Sequence, residues 1–252
     1  MLDLVNLKYS IADIERKRTE IEKLIIKTSP NIKNGTINSI STADLKLMFE
    51  LYDEIFFNCW FKKSFKGKMI FSLSRRMTKS AGLTLCPKNI DKIRQEELII
   101  EIRIGVELFF HYDQIDGSKN VCGFRTNNSL EALQLVLEHE LCHVIEFIYF
   151  NKSNCSGERF KVIANNLFGH TESYHILPTH KQIAKQKLGL NIGDSVTFTF
   201  ENNKLEGLLY NINKRATIMV RDKKGSYTDK QGNRYSKYYV PLSLLKKQGD
   251  KK

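Results

Sequence analysis

Residues 130–150, LEALQLVLEHELCHVIEFIYF, constrain this chain more than any other stretch. Leu133, Val136, Leu137, Val144 and Ile148 recur at helical spacing and predict one long amphipathic helix against a core. Inside it stands His139-Glu140-Leu141-Cys142-His143, an HExxH pattern. Positions four apart on a helix lie about 40° apart on one face, so both imidazoles can reach a single divalent ion, Zn2+ first. Glu140 lies beside them and is the residue type that takes a proton from water as general base and passes it to a leaving amine. Cys142, one and three positions from the histidines, points away from them and is read as core. A zinc site needs a third protein ligand, and the helix alone does not supply it. The plain alternative is a helix that carries two histidines and a glutamate by accident.

The rest of the chain has two characters. Residues 1–38 read as an N-terminal helical arm, with Leu4, Leu7, Ile11, Ile14, Ile21, Leu24 and Ile25 at approximate helical spacing and a turn at Asn34-Gly35. Ser41-Thr42-Ala43-Asp44 resembles a capping box opening a helix through LKLMFELYDEIFFNCWF. KMIFSLS and the segment around AGLTLC read as two strands of a hairpin-like unit joined through Arg75-Arg76-Met77-Thr78-Lys79. In 97–110 the start is β-rich, with Ile100, Ile102 and Ile104 on one face, and the second half is open between strand and helix. Asp113 to Asn120 reads as a polar turn. Asn127-Asn128-Ser129 offers a cap to the HExxH helix, and ERFKVIANNLFG forms another helix. Residues 39–187 thus read as one α+β domain.

From 188 to 247 the pattern changes to short strands, VTFTF, LEGLLYNI, RATIMVRD and YYVPLSLL, separated by turns, which predicts a small all-β, SH3-like barrel. Residues 248–252 read as a disordered tail. The chain of 252 residues has a formal charge of +12, and seven of those net charges fall in 188–252, where ten Lys and three Arg face four Asp and two Glu. Arg215, Arg221, Lys223, Lys224, Lys230, Arg234 and Lys237 alternate there with Tyr210, Tyr227, Tyr235, Tyr238 and Tyr239. Cations for phosphates and rings for unpaired bases are the chemistry of nucleic-acid binding, single-stranded DNA included. Arg75, Arg76 and Lys79 are further candidates for phosphate contact. An RNA-binding barrel of the translation-factor kind is a rival reading of the tail alone. Five cysteines without a CxxC pair, no secretory apolar region and no run of 18 apolar residues point to a cytoplasmic protein without membrane contact, nucleoid-associated if bacterial.

Several separated motifs resemble the SprT-like family, which includes the Spartan proteases. MFELYDEIFF (48–57), SRRMTKSAG (74–82), HELCH (139–143), GERFK (157–161) and LFGHTESYH (167–175) occur in the family's order, and the likeness covers residues 43–177. It implies a zincin-like fold, α+β, with the HExxH helix against a small twisted sheet. It also implies a zinc-dependent metallopeptidase acting on DNA-bound or DNA-crosslinked proteins. The alternative is a catalytically degenerate family member that only binds nucleic acid. In this reading His139 and His143 hold Zn2+, Glu140 is the catalytic base, and Tyr174 and His175 are candidates to stabilise the oxyanion. The family's third ligand, a histidine, aligns with Ser156 here. Cys155, His170 and Glu158 are the substitutes, with Cys155 favoured as the softer donor nearest the expected place. The family's zinc ribbon has no counterpart in this sequence.

Overall fold

The computed structural model describes residues 3–248, and the chain divides into two compact units between Leu177 and Pro178. In the first unit α1 (Ile11–Thr28) starts at an N-cap, Ser10, and buries Ile14, Ile21 and Ile25. The helix α2 (Thr42–Ile55) opens with the reciprocal capping box foreseen at Ser41 and Asp44, an arrangement that stabilises a helix start by about 0.5–2 kcal/mol. Burial raises the Asp44 carboxyl, but hydrogen bonds from Ser29, Ser41 and Asn31 outweigh it and hold the group below its ordinary range. α2 stops earlier than its apolar run suggests. Asn58 and Cys59 take the left-handed conformation, and α3 (Trp60–Ser64) restarts with its Phe61 and Lys62 N–H groups donating to the Asp53 carboxylate.

β1 (Lys68–Ser74), β2 (Gly82–Leu85) and β3 (Ile99–Gly105) form a sheet in the order β1-β3-β2. The expected β1–β2 hairpin is therefore corrected: β3 lies between them, parallel to β1 and antiparallel to β2. Ile100, Ile102 and Ile104 are fully buried on one face, each burial worth roughly 1.5–3 kcal/mol. The open second half of 97–110 resolves as a short helix, α4 (Glu107–Phe110). A second small sheet, not foreseen, joins β4 (Lys119–Val121), β5 (Phe124–Thr126) and later β6 (His175–Ile176) in the order β5-β4-β6.

Between these lies α5 (Ser129–Phe150), N-capped by Asn128. It is less amphipathic than its sequence suggests, because Gln134, Glu138, Glu140 and Glu146 are buried along with its apolar residues. A helix covered on nearly every side is the centre of the domain. α6 (Glu158–Phe168) follows and ends at Gly169, whose φ of +67° makes the left-handed cap.

The second unit begins ten residues before the boundary expected at 187/188. α7 (His180–Leu188) belongs to it: Ala184 and Leu190 share a core with Val196, Phe198, Leu209 and Ile218. Residues 1–38, expected as a separate arm, share the first unit's core through Leu4, Ile14, Ile21 and Ile25. The strands are β7 (Ser195–Phe200), β8 (Asn203–Ile212), β9 (Ala216–Arg221), β10 (Tyr227–Thr228), β11 (Arg234–Val240) and β12 (Lys246–Lys247). They pair in one sheet, β10-β11-β9-β8-β7-β12. The last strand returns to the first, but among the described residues β10 and β12 are edges, and no closed barrel forms. YYVPLSLL is not one strand: Pro241 ends β11 and Leu242–Leu244 turns as a 3-10 helix. Residues 249–252 of the expected tail lie outside the described residues.

Candidate metal centre

His139 and His143 face a cleft of about 480 Å3 that Cys155, Tyr174 and His175 also line. Their Nε2 atoms stand 3.2 Å apart. Cys155 Sγ, from the loop between α5 and α6, completes a group whose donor atoms all lie within 4.8 Å of one another. Phe160 of α6 packs on both imidazoles, with ring centroids 4.9 and 4.6 Å away. Burial holds His139 down at about 3, with His143 adding to the effect, and holds His143 at about 4. Both rings are therefore neutral, the form that ligates a metal.

This donor set fits zinc. Zn–N bonds of about 2.0–2.1 Å in a tetrahedral site set two nitrogens roughly 3.3 Å apart, close to the observed separation. Two imidazoles and one thiolate leave a fourth position for water or substrate, as a catalytic zinc site requires.

Glu140 stands one position along the helix, buried, with Oε2 accepting from Thr84 Oγ1 at 2.7 Å. Burial raises its carboxyl to about 7, against the opposing pull of the Thr84 hydrogen bonds. Gly82 makes room for it: a Cβ there would lie 2.3 Å from Glu140 Oε1. β2 thus touches the candidate base through both of these residues.

Two of the proposed third ligands fall away. His170 is buried on another side of α5, its Nε2 2.8 Å from Glu138 Oε2, and it is absent from the donor group around His139. Glu158 is exposed at the start of α6 and is likewise absent, and Ser156 at the family's histidine position is exposed. A one-residue offset brings Cys155, not Ser156, to the histidines. His175 accepts the Ala81 N–H on Nε2 at 3.0 Å, so the ring carries its hydrogen on Nδ1, which is buried without a partner. Tyr174 is exposed at the cleft. Lys79 lines the cleft, Arg76 is exposed, and Arg75 reaches Glu107 at 3.9 Å.

Sequence reasoning missed the residues behind the site. Glu138 is fully buried and accepts from Arg18 Nε at 2.7 Å and Nη2 at 2.5 Å and from Tyr52 Oη at 2.8 Å. Burial alone would raise its carboxyl, but Arg18 and the His170 hydrogen bond lower it. Glu146, also buried, lies behind His143. The available signal was acids at 138 and 146 inside an otherwise apolar helix, since a buried charge requires a partner.

The second unit sorts its tyrosines into different roles. Tyr238 packs with Phe198 and Phe200, and Tyr235 donates to Asp229 at 2.9 Å. Tyr210, Tyr227 and Tyr239 are exposed, and Tyr210 sits where the β8–β9 register slips. Lys237 Nζ lies 3.9 Å from the Tyr227 ring centroid, and a hydrogen bond with Tyr227, together with charge interaction with Tyr239 and Tyr210, raises its pKa. Arg215, Arg221, Lys223, Lys224 and Arg234 are exposed, though Arg234 Nε is engaged by the Gly225 carbonyl at 2.9 Å.

An α+β unit with the 139–143 helix lining the cleft is consistent with a SprT-like domain. The SprT-like family model matches residues 45–180, more than half of the chain, and the protein belongs to the SprT-like family. No curated protein and no solved structure matched the chain significantly. No helix among the described residues is long and apolar enough to cross a membrane.

Proposed function

We propose that the chain is a zinc-dependent metallopeptidase of the SprT-like type that acts on DNA-bound or DNA-crosslinked proteins. The observation that carries this reading is the convergence of His139, His143 and Cys155 beside a buried carboxyl, Glu140. His139, His143 and Cys155 are the metal ligands. Zinc held by these residues would supply Lewis-acid polarisation of the scissile carbonyl and of the attacking water. Glu140, held near neutrality, takes a proton from the attacking water and delivers it to the leaving amine. Among the described residues the outer edge of β2 is unpaired and borders the cleft, so its backbone groups suit an extended peptide substrate. Tyr174 stands at the cleft as the candidate oxyanion donor. His175 can donate only through its buried Nδ1.

The exposed Tyr210, Tyr227 and Tyr239 around Lys237, with Arg215, Arg221, Lys223, Lys224 and Arg234 on the same basic unit, support nucleic-acid binding by stacking and phosphate contact. Its strand order, with β12 returning to β7, keeps the SH3-like reading as a partly open variant. Localisation with the nucleoid, in a bacterium, follows from DNA binding.

The test is cleavage of a DNA-binding protein by the zinc-loaded chain, with and without single-stranded DNA. Glu140→Gln keeps about one zinc per chain and loses at least 100-fold in cleavage rate, because general-base catalysis contributes about 10²–10⁴-fold. Equal proteolysis by the variant contradicts the enzyme reading. Metal-free protein that binds DNA supports the degenerate alternative.

A further inference from the structure

Behind His143 runs a chain of hydrogen bonds that the family match does not assign. His143 Nδ1 lies 2.6 Å from Ser153 Oγ, and Ser153 Oγ donates to Glu146 Oε2 at 2.6 Å. The same carboxylate oxygen accepts the Asn154 N–H at 3.0 Å, while Oε1 accepts from Arg159 Nε at 2.7 Å. Arg159 also donates to the Lys152 carbonyl and stacks on Phe150 with its guanidinium carbon 3.9 Å from the ring centroid. Glu146 is 1 % exposed.

Proton counting fixes the direction of this chain. An ionised carboxylate only accepts, and it receives Arg159, Asn154 and Ser153. The serine has one hydroxyl hydrogen, and Glu146 takes it. Ser153 Oγ therefore accepts from His143, which places the imidazole hydrogen on Nδ1 and leaves Nε2 bare. Nε2 is the atom that faces His139 Nε2 and belongs to the donor group with Cys155.

The loop held by Glu146 is the one that carries Cys155. Glu146 sits on α5 three residues after His143, fixes Ser153 and Asn154 in that loop, and is clamped by Arg159 from the first turn of α6. One buried carboxylate thus sets the tautomer of one ligand and the approach of the segment bearing another.

We propose that Glu146, acting through Ser153, is the positioning residue of the metal centre: it keeps His143 in the Nε2-ligating form and brings the Cys155 loop to the helix. This inference rests on the zinc reading above, and outer-shell partners of this kind are worth about ten- to a hundred-fold in metal affinity.

Two measurements on the full chain test it. In the metal-free protein, long-range 1H–15N correlation of the histidine rings reads the tautomer directly, with His143→Ala identifying the signals. The expected result is the Nδ1–H form for His143 in the wild-type chain and loss of that preference in Ser153→Ala. Zinc affinity, measured by competition with a chromophoric chelator, falls about ten- to a hundred-fold in Ser153→Ala and in Glu146→Gln and recovers in Ser153→Thr, which keeps the hydroxyl. A His143 ring protonated on Nε2 in the wild-type chain overturns the proposal, as does unchanged affinity in folded Ser153→Ala. Should a variant fail to fold, the wild-type tautomer decides alone. A wild-type chain that shows the Nδ1–H form but takes up no zinc defeats the metal reading while leaving the relay in place.

Discussion

Gly82 and Glu140 show how one missing side chain can set a site's chemistry. Adding a methyl group at position 82 places it 2.3 Å from Glu140 Oε1 and 2.7 Å from its Cγ and Cδ, with the backbone of β2 in ordinary extended conformation. The flexible carboxylate side chain is what must move, so the fold tolerates the change better than the chemistry does. Gly82→Ala is expected to lower the cleavage rate by about 100-fold or more, since a displaced general base loses most of its contribution, while zinc content and the unfolding midpoint stay near wild type. Steady-state kinetics beside metal analysis and thermal melting check this, and wild-type kinetics in the variant contradict it. At this scale the sequence carried the local part of the site. His139 and His143 share a face by helical geometry alone, and Glu140 follows from its position between them. The Cys155 donor needed the family alignment, which favoured it as the softer donor nearest the expected place but left His170 and Glu158 open. Ser153 was silent, and Glu146 showed only as an acid in an apolar helix, because their roles depend on a loop folding back against α5.

Elements meet around Glu138, the neighbour of His139. α1, α5, the Tyr52 hydroxyl of α2 and His170 beyond α6 converge on its carboxylate. This contact ties α1 into the first unit, where the sequence had suggested a separate arm: the Arg18 side chain is 13 % exposed and points inward. Breaking a buried ion pair from one side costs about 3–5 kcal/mol because the other charge is left uncompensated. Arg18→Ala and Glu138→Gln are therefore each expected to lower unfolding free energy by about that amount in urea titration, and a change under about 1 kcal/mol in both contradicts the network. The pH dependence has a defined sign. Glu138 titrates lower in the fold than its ordinary 4.5, so its contribution is full above that value and is lost as the pH falls through the lower folded value. The strands illustrate the limit of local pattern. Ile100, Ile102 and Ile104 were legible as one buried face, but the parallel β1–β3 pairing was not, because two neighbouring strands in sequence suggest a hairpin and nothing local announces the later insertion of β3 between them.

The whole molecule joins two chemistries in one chain: a unit whose cleft gathers metal-binding groups, and a basic unit whose sheet exposes tyrosines beside Lys237. The division into an α+β part and a β part was legible from the change of period after residue 188. The boundary was not, because α7 has an ordinary helical pattern and only its packing on Leu190 and Val196 assigns it to the second unit. In the proposed site a cysteine, Cys155, replaces the family's histidine as the third metal ligand. X-ray absorption of the zinc-loaded full chain reads this directly. The prediction is about one zinc per chain with a single sulfur neighbour at about 2.3 Å beside nitrogen or oxygen at about 2.0–2.1 Å, the sulfur disappearing in Cys155→Ala. A zinc shell without sulfur, or one whose sulfur survives the Cys155→Ala change, contradicts it.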